Sequence, residues 1–220
     1  KSSRIKSRIV VSIGGGRESV SASQASQHDM HEGRCGAYVP LEGTLQLLMA
    51  LNPSKLRIGH GYDLHRLEPL PPNGHGRPFI LGGVMLDHPM GPISHSDGDA
   101  VLHAVTDAIL GAVGGEDIGQ LFPDDDPANK GRQSSDFLEA ACQHARSVGW
   151  SLVNVDITVI CERPKLSPYK GAMIASLADT MGCDPNQVNI KGKTHEGVDA
   201  LGEGRAVEVH VVALLQECDS

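Results

Sequence analysis

Aromatic side chains are scarce in this sequence, and long apolar runs are absent. Phe, Tyr and Trp together make up 3% of the 220 residues, whereas hydrophobic residues as a whole reach 40%. A core built from this chain must therefore be aliphatic, made of Val, Ile, Leu and Ala. Nowhere does an apolar run approach the roughly 18 residues that a membrane-spanning helix requires, which excludes a helical transmembrane protein.

Cysteine pairs and an excess of positive charge are also lacking. The five cysteines are odd in number and scattered, with no C-x-x-C pair, so a disulfide framework is excluded and reduced thiols are predicted. The formal net charge is −8 at pH 7, which argues against binding to nucleic acid or to an anionic membrane. We therefore expect no nucleic-acid partner and no membrane partner.

The first 54 residues differ in composition from the rest. Ser occurs eight times in the first 30 residues, Lys and Arg together occur five times, and the first acidic residue is Glu18. This composition is typical of an organelle transit segment; a disordered polar tail or a remnant of an expression vector is the alternative. Because the sequence begins with Lys, we expect the true start of the leader to be missing. The leader favours a plastid location (stroma or apicoplast-like), with a cytoplasmic one as the alternative.

We predict a partly disordered leader over 1–54, one domain over 55–217 and a short tail over 218–220. Apolar alternation predicts strands at Leu56–His65, Phe79–Leu86, Leu152–Glu162, Val188–His195 and Ala206–Gln216. Helical periodicity predicts helices at Asp97–Val113, Ser134–Val148 and Pro168–Met181, the first capped by Ser94, Ser96 or Asp97. This order predicts an α/β (α+β) domain with a mixed four-stranded sheet, helices on one face and a small β-hairpin.

A candidate zinc site combines one strand with one helix. Asp63 and His65 are two residues apart, so they point to the same face of an extended strand. Asp99, His103 and Asp107 are spaced by four residues and share one stripe of the following helix. Two imidazoles and one carboxylate suit a catalytic Zn²⁺ whose fourth position is open. The alternative is ordinary, since any one of the 11 histidines is more often a satisfied polar side chain than a ligand.

Three further segments carry polar groups suited to a phosphorylated polyol or nucleotide. The loop 115–127 offers carboxylates and backbone donors for hydroxyl groups, and a solvated acidic loop is its alternative. Segment 162–168 runs from a strand end to a helix start, where backbone N–H groups and a lysine can bind an anion; it can equally be an ordinary connection. In 191–196, Lys193 and Thr194 can meet phosphate oxygens and Glu196 a hard cation, unless this is only a solvated strand end.

Six motifs in one order carry a family resemblance. They read G-H-G-Y-D-L-H, I-L-G-G-V, H-S-D-G-D-x-x-x-H, D-I-G-x-L-F-P-D-x-D-P, R-P-K-x-x-P and K-x-K-T-H-E, between Leu56 and about Gln216. The sequence thereby resembles the 2-C-methyl-D-erythritol 2,4-cyclodiphosphate synthases of the non-mevalonate isoprenoid pathway, in their plastid variant. The resemblance implies a ferredoxin-like arrangement and a homotrimer with active sites between adjacent subunits.

The resemblance also implies a role for each matching residue. It places Zn²⁺ on Asp63, His65 and His103, in agreement with the spacing, and Mg²⁺ or Mn²⁺ on Glu196. It makes His95 and Thr194 the catalytic, transition-state-stabilising residues, and lets His95 and Ser96 contact the substrate diphosphate. The implied erythritol-binding residues are Asp117, Ile118, Gly119, Phe122, Pro123, Asp124, Asp125 and Asp126. The implied cytidine and diphosphate pocket contains Cys161, Pro164, Lys165, Leu166, Ser167, Lys193 and Thr194. Asp99 and Asp107 have no ligand role here and are interpreted as structural, orienting their neighbours.

One stretch departs from the family pattern, which often has G-F-T-G-R-G-E-G near the C-terminus. Here Ala200 stands in place of the aromatic residue and Glu203 in place of the arginine. We expect Arg205 to supply the missing cation to the substrate phosphate; the alternative is a surface ion pair with Glu203.

The activity implied is a cyclisation of a small cytidine diphosphate substrate. In 4-diphosphocytidyl-2-C-methyl-D-erythritol 2-phosphate, the 2-phosphate attacks the β-phosphorus and CMP is released, a reaction that depends on positioning and charge neutralisation. A zinc-dependent phosphoesterase acting on a nucleotide-diphosphate polyol is the nearest alternative. A non-catalytic zinc-binding or nucleotide-sensing trimer is the other.

Overall fold

The structure, a computed structural model, describes residues 55–123 and 132–218. The predicted leader over 1–54, Asp124, Asp125, Asp126 and the last two residues lie outside the described residues. Within the described part of the chain, none of the helices has the length and apolar character needed to cross a membrane.

The described residues form the mixed α/β domain that the pattern predicts. Its strands are β1 (Leu56–Pro69), β2 (Ile80–Leu81), β3 (Val84–Met85), β4 (Met90–Pro92), β5 (Trp150–Ile160), β6 (Val188–Lys193) and β7 (Ala206–Glu217). Its helices are α1 (Ala100–Val113), α2 (Ile118–Leu121), α3 (Ser134–Ser147), α4 (Lys170–Met181) and α5 (Asp199–Gly202).

The main sheet is mixed, in the strand order β4-β1-β7-β5-β6. Only β5 and β6 run parallel, joined through α4, and the other neighbours are antiparallel. The prediction of four strands was wrong by one, because β4 adds a three-residue edge strand against the extended end of β1. The predicted small hairpin is confirmed as β2 and β3.

The helices cover one face of this sheet. Val207, Val209 and Val211 on β7 point to that face and are fully buried, because alternate residues of a strand share a face. The opposite side, which we call the open face, exposes 72% of Ile58 and nearly half of Tyr62, Leu64 and Val212. The sheet therefore carries apolar side chains on both faces but is covered, among the described residues, on only one.

Two glycines on β1 allow α1 to lie unusually close to the sheet. A Cβ atom at Gly61 would sit 1.7 Å from the carbonyl oxygen of Ala104, and one at Gly59 would sit 1.7 Å from that of Ala108. Any side chain at these positions would push the helix away from the strand. The glycines of the G-H-G-Y-D-L-H motif thus set the distance between α1 and β1, on which the candidate site depends.

Candidate active site

The site begins where α1 starts. Asp99 is completely buried and caps the helix, accepting hydrogen bonds from the backbone N–H groups of Val101 and Leu102 at 3.0 and 3.1 Å. It also accepts from Gly82 at 2.9 Å and Gly83 at 2.7 Å in the β2–β3 hairpin. The expectation that Ser94, Ser96 or Asp97 caps α1 was therefore wrong, because only Asp99 also binds the hairpin. Four donors on one carboxylate fix the start of α1 against the sheet.

His103, one turn into α1, meets two residues of β1. The Asp63 Oδ2 atom lies 3.0 Å from His65 Nδ1 and 3.0 Å from His103 Nδ1. The ligand atoms of these three residues all lie within 4.8 Å of one another. All three side chains are mostly buried, with 11–21% of their surface exposed. The structure thus brings together the three predicted zinc ligands.

These contacts shift the ionisation of the cluster. Burial alone would raise the pKa of Asp63, but the hydrogen bond from His103 and the nearby charge of both imidazoles lower it to about 2. Burial likewise favours neutral His103, yet the hydrogen bond and charge of Asp63 outweigh it and raise the pKa of His103. Asp63 is accordingly a carboxylate at any physiological pH.

A divalent transition metal fits this donor set. His65 Nδ1 is buried and makes no hydrogen bond, since its approach to Asp63 has unsuitable angles despite the 3.0 Å distance. A buried ring nitrogen without a hydrogen-bond partner is unfavourable unless it binds an ion. One carboxylate oxygen and two imidazole nitrogens at one point match the ligands that zinc prefers in open catalytic sites.

The other ring nitrogen of His103 points away from the cluster. His103 Nε2 lies 2.8 Å from the hydroxyl of Ser134 and 3.2 Å from that of Ser96. Ser96, a predicted substrate contact, is therefore buried with its hydroxyl turned toward this ring, whereas His95 beside it is exposed. Sequence reasoning missed the contact of Ser134 with His103, because the two residues are 31 positions apart.

The segment predicted to bind the erythritol group is held close to the cluster. Asp107, one turn beyond His103, accepts a hydrogen bond from the backbone N–H of Ile118 at 2.9 Å. Asp117 is exposed and caps α2, accepting from Gln120 N–H at 2.9 Å. The Phe122 ring packs on Phe137 at 4.6 Å between centroids, and Phe137 lies 6.3 Å from the His103 ring.

Asp107 thus has the orienting role expected of it, whereas nothing in the sequence pattern singled out Phe137. Of the other predicted residues of this segment, Gly119 is exposed and Pro123 is half-buried.

The two segments predicted to bind the nucleotide meet at the carboxyl ends of β5 and β6. Cys161 N–H donates to the carbonyl oxygen of Lys193 at 2.9 Å, and Leu166 packs against Gly192. Burial raises the pKa of Cys161 to about 12, so it is a neutral thiol, and it donates to the Arg163 carbonyl. The remaining members are half-buried or exposed: Pro164, Lys165, Ser167 and Thr194.

The turn after β6 has a constrained backbone. Glu196 and Asp199 both have positive φ, at 52° and 59°, which is uncommon for residues other than glycine. Thr194 Oγ1 donates to Glu196 Oε1 at 2.6 Å, and His195 pairs with Asp199. The two side chains predicted to meet phosphate and the second metal are thus adjacent.

Arg205 lies elsewhere in the described structure. Its Nε donates to Glu203 Oε2 at 2.6 Å, and both side chains are more than half exposed. Its carbonyl oxygen accepts from Leu67 at 2.8 Å. This arrangement agrees with a surface ion pair; a phosphate contact by Arg205 stays a prediction.

The metal cluster and the nucleotide segments lie in different parts of one chain. Asp63 pairs with Val209, Val209 with Val159, and Val159 with Gly192 across the sheet. Three inter-strand spacings, about 14 Å, therefore separate the strand that carries the zinc ligands from the strand that leads to Lys193. The two groups of residues lie at the same height along the strands, but three inter-strand spacings keep them apart.

The chain is similar, over most of its length, to proteins named 2-C-methyl-D-erythritol 2,4-cyclodiphosphate synthase. It is 51% identical over 159 residues to the chloroplastic 2-C-methyl-D-erythritol 2,4-cyclodiphosphate synthase of Oryza sativa subsp. japonica, covering 72% of this chain and 69% of that one. It is 49% identical over 160 residues to the synthase of Dechloromonas aromatica (strain RCB), covering 73% and 96%. Among solved structures, the CDP complex of IspF from Plasmodium falciparum matches with a TM-score of 0.65 at 36% identity, covering 74% and 97%.

A family model gives the same result. The model described as the YgbB family matches residues 56–216, which span the metal cluster, both nucleotide segments and every strand of the sheet. The family resemblance expected from the six motifs is thereby confirmed: the chain belongs to the YgbB family, the family of the 2-C-methyl-D-erythritol 2,4-cyclodiphosphate synthases.

Proposed function

We propose that this protein converts 4-diphosphocytidyl-2-C-methyl-D-erythritol 2-phosphate into 2-C-methyl-D-erythritol 2,4-cyclodiphosphate and CMP. The observation that carries the proposal is the Asp63, His65 and His103 cluster with its unpartnered His65 nitrogen, in a chain whose relatives bear the name of this synthase. An oxygen of the 2-phosphate forms a bond to the β-phosphorus. The bond from that phosphorus to the bridging oxygen breaks, and CMP leaves with the electron pair.

Two metal sites follow from the donor types. Zn²⁺ on Asp63, His65 and His103 would supply a Lewis acid that neutralises and orients one phosphate group. Mg²⁺ or Mn²⁺ on the Glu196 carboxylate would neutralise charge between the α and β groups. The identity of both metals is part of the proposal.

The chain's own residues supply the positioning. His95 is exposed beside the buried Ser96, so its imidazole is free to meet a diphosphate oxygen next to the metal cluster. Lys193 ends β6 and Thr194 follows it, so an ammonium group and a hydroxyl can hold the phosphates at the cytidyl side. Alignment of attacking and leaving oxygens by such groups is what an intramolecular phosphoryl transfer requires.

In this proposal the cytidine and erythritol groups bind to separate segments of the chain. Nucleotides commonly bind beyond the carboxyl ends of parallel strands, and Cys161 and Lys193 are hydrogen-bonded to each other at that end of β5 and β6. In this proposal Cys161 to Ser167 and Lys193 hold the cytidine. A relative of known structure is described as a CDP complex, which supports a cytidine diphosphate ligand here. The erythritol hydroxyls would meet the turn from Asp117 to Gly119 and the loop from Phe122 onward.

A homotrimer with shared sites is also part of the proposal. The separation of about 14 Å between the zinc strand and the Lys193 strand favours a site in which a second copy supplies one half. The open face, apolar at Ile58, Tyr62, Leu64 and Val212, offers the surface that copies of the chain would bury. The ferredoxin-like arrangement expected of the sheet stays a prediction.

We also propose that the protein is located in a plastid. The composition of 1–54 and the chloroplastic designation of three similar plant enzymes support it, and a cytoplasmic location is the alternative.

The product of a single reaction distinguishes the synthase from a phosphoesterase. Purified protein with Zn²⁺ and Mg²⁺ should release CMP and the cyclic diphosphate in equal amounts, observed by ³¹P NMR. In ¹⁸O-labelled water the products should contain no solvent oxygen, since the nucleophile is the 2-phosphate. Incorporation of one ¹⁸O atom into the products for each CMP released would mean hydrolysis. The absence of any turnover would favour a binding protein.

A further inference from the structure

Ser134, the first residue of α3, connects the metal cluster to the loop before α1. Its side chain is completely buried. Its hydroxyl lies 2.8 Å from His103 Nε2 and donates to Asp97 Oδ1. Its backbone N–H donates to the second carboxylate oxygen of Asp97 at 3.1 Å. Asp97 thus accepts both hydrogens of Ser134, and the hydroxyl oxygen faces the imidazole.

The direction of these hydrogen bonds follows from the groups involved. A carboxylate only accepts hydrogen bonds, so the Ser134 hydroxyl hydrogen is directed to Asp97. The serine oxygen then has only lone pairs to offer His103 Nε2, and that nitrogen must carry the ring hydrogen to bond with it. With its hydrogen held on Nε2, the ring can offer the lone pair of Nδ1 to a metal; in the metal-free protein Nδ1 instead donates a hydrogen to Asp63 Oδ2, and the metal takes the place of that hydrogen.

We propose that Asp97 and Ser134 form a positioning relay that holds His103 in the tautomer and orientation required for a metal on Nδ1. The inference rests on the proposed metal site but concerns residues outside the ligand set. Hydrogen-bond partners on the far nitrogen of a metal-binding histidine fix its ring and increase its basicity, and their loss typically weakens metal binding about 10- to 100-fold.

Ser96 does not replace Ser134 in this role. Its hydroxyl is farther from His103 Nε2, at 3.2 Å, and also contacts Ser94 Oγ at 3.1 Å and the backbone N–H of Gly98 at 3.1 Å. Ser94 can supply a hydrogen to Ser96 or take one from it, so the direction toward His103 is not fixed. Only Ser134 has its hydrogen committed to a carboxylate, and it also ties the imidazole to α3.

Zinc affinity tests the relay without relying on turnover. Ser134→Ala removes the hydroxyl and leaves the backbone bond to Asp97 in place. With the metal-stripped full chain and Zn²⁺ as the probe, competition with a chelator should give an affinity about 10- to 100-fold weaker than wild type. Ser135→Ala, which removes a hydroxyl from the next residue of α3, should stay within about twofold.

Two further readouts separate positioning from general stability. In Ser134→Ala the Co²⁺-loaded protein should show an altered visible spectrum, and saturating Zn²⁺ should restore most of kcat. Nitrogen-15 NMR of the zinc-loaded wild type should place the His103 hydrogen on Nε2, a measurement that needs no variant. Equal zinc affinity in Ser134→Ala and wild type, or a hydrogen on Nδ1, would overturn the relay while leaving the synthase proposal intact. A wild type that binds no zinc would remove both the metal assignment and the relay.

Discussion

At the scale of single residues, Asp63 and His103 shift each other's ionisation in opposite directions. The pKa of Asp63 falls from 3.8 to about 2, because the two histidine contacts outweigh burial. The pKa of His103 rises above 6.5 for the reciprocal reason. A metal arriving at the cluster must therefore displace a proton from His103 at pH values where an isolated histidine is already largely neutral.

Zinc affinity should consequently fall as the pH is lowered, and the fall should begin above pH 6.5. A single competing proton weakens binding about tenfold per pH unit, whereas Asp63 adds no slope because it is ionised throughout this range. Chelator competition between about pH 6 and pH 9 measures the dependence. A constant affinity down to about pH 6 would contradict the raised pKa of His103.

The contribution of His103 to the stability of the metal-free protein should depend on pH in the opposite sense. This contribution falls as the pH rises, whereas zinc affinity falls as the pH is lowered. A raised histidine pKa contributes stability below the unfolded value and loses it as the pH rises through the folded value. The lowered pKa of Asp63, from 3.8 to about 2, contributes roughly 2 kcal/mol that is present above about pH 4 and lost toward pH 2. Asp63→Asn should lack the acid-side dependence in urea unfolding and serves as the control.

Glu196 is the residue on which the two metals can be told apart. In the wild type, Thr194 Oγ1 lies 2.6 Å from Glu196 Oε1. Glu196→Gln keeps the shape of the side chain and this contact but removes the negative charge that a hard cation prefers. We expect unchanged zinc affinity and at least about tenfold more Mg²⁺ or Mn²⁺ for half-maximal activity. The measurement is activity against metal concentration, and an unaltered dependence would count against Glu196 as the ligand.

Kinetics can separate two possible roles of Arg205, a contact with a substrate phosphate and a surface ion pair with Glu203. If Arg205 meets a substrate phosphate, Arg205→Ala should reduce kcat/KM roughly tenfold to a hundredfold, on the order of 1.5–3 kcal/mol for a charged hydrogen bond. If it only pairs with Glu203, where both side chains are more than half exposed, stability should fall by less than about 1 kcal/mol and rates should not change. Glu203→Ala measured in parallel isolates the ion pair.

At the scale of elements, the strongly patterned segments could be predicted from the sequence. The predicted starts of β1, β6 and β7 agree with the structure to the residue, and the end of α1 at Val113 does so as well. Their apolar alternation or helical periodicity runs for six residues or more. The elements that were missed, β4, α2 and α5, contain three or four residues each, too few for any period to be recognised.

The start of α1 and the surroundings of His103 depend on contacts that no local pattern contains. Four residues between Ser94 and Asp99 are acceptable helix caps, and the β2–β3 hairpin selects Asp99 through Gly82 and Gly83. The pairing of Asp97 with Ser134 joins residues 37 positions apart. Spacing could predict that Asp63, His65 and His103 come together, therefore, but not the residues that hold them in place.

Gly61 offers a test of how α1 reaches the metal ligands. In Gly61→Ala the new Cβ atom would lie 1.7 Å from the Ala104 carbonyl, so the helix must move away from β1 and carry His103 with it. We expect a loss of about 1–3 kcal/mol in the free energy of unfolding and weaker zinc binding. Gly111→Ala, at an exposed position of the same helix where the new Cβ atom would meet only the His60 carbonyl oxygen at 4.0 Å, should instead be neutral or slightly stabilising.

At the scale of the whole molecule, the sheet separates the two halves of the proposed site. The three candidate metal ligands lie on β1 and α1, the segments proposed to bind the nucleotide follow β5 and β6, and β7 lies between β1 and β5. A phosphoryl group cannot bridge three inter-strand spacings, about 14 Å. The proposed arrangement therefore places the metal half of one copy next to the nucleotide half of another, with the open face buried between copies.

Mixed oligomers test this arrangement directly. His103→Ala disables the metal half and Lys193→Ala the nucleotide half, so each variant alone should be almost inactive. If neighbouring copies of a trimer share each site, mixed trimers of the two variants should recover about a third of wild-type activity, because one of the three subunit interfaces in each mixed trimer joins two intact halves. Separately tagged chains, purified by both tags, ensure that mixed oligomers are assayed. Activity that stays at the level of the single variants would mean that each chain builds its site from its own residues, with β7 and β5 spanned by a movement of the loops.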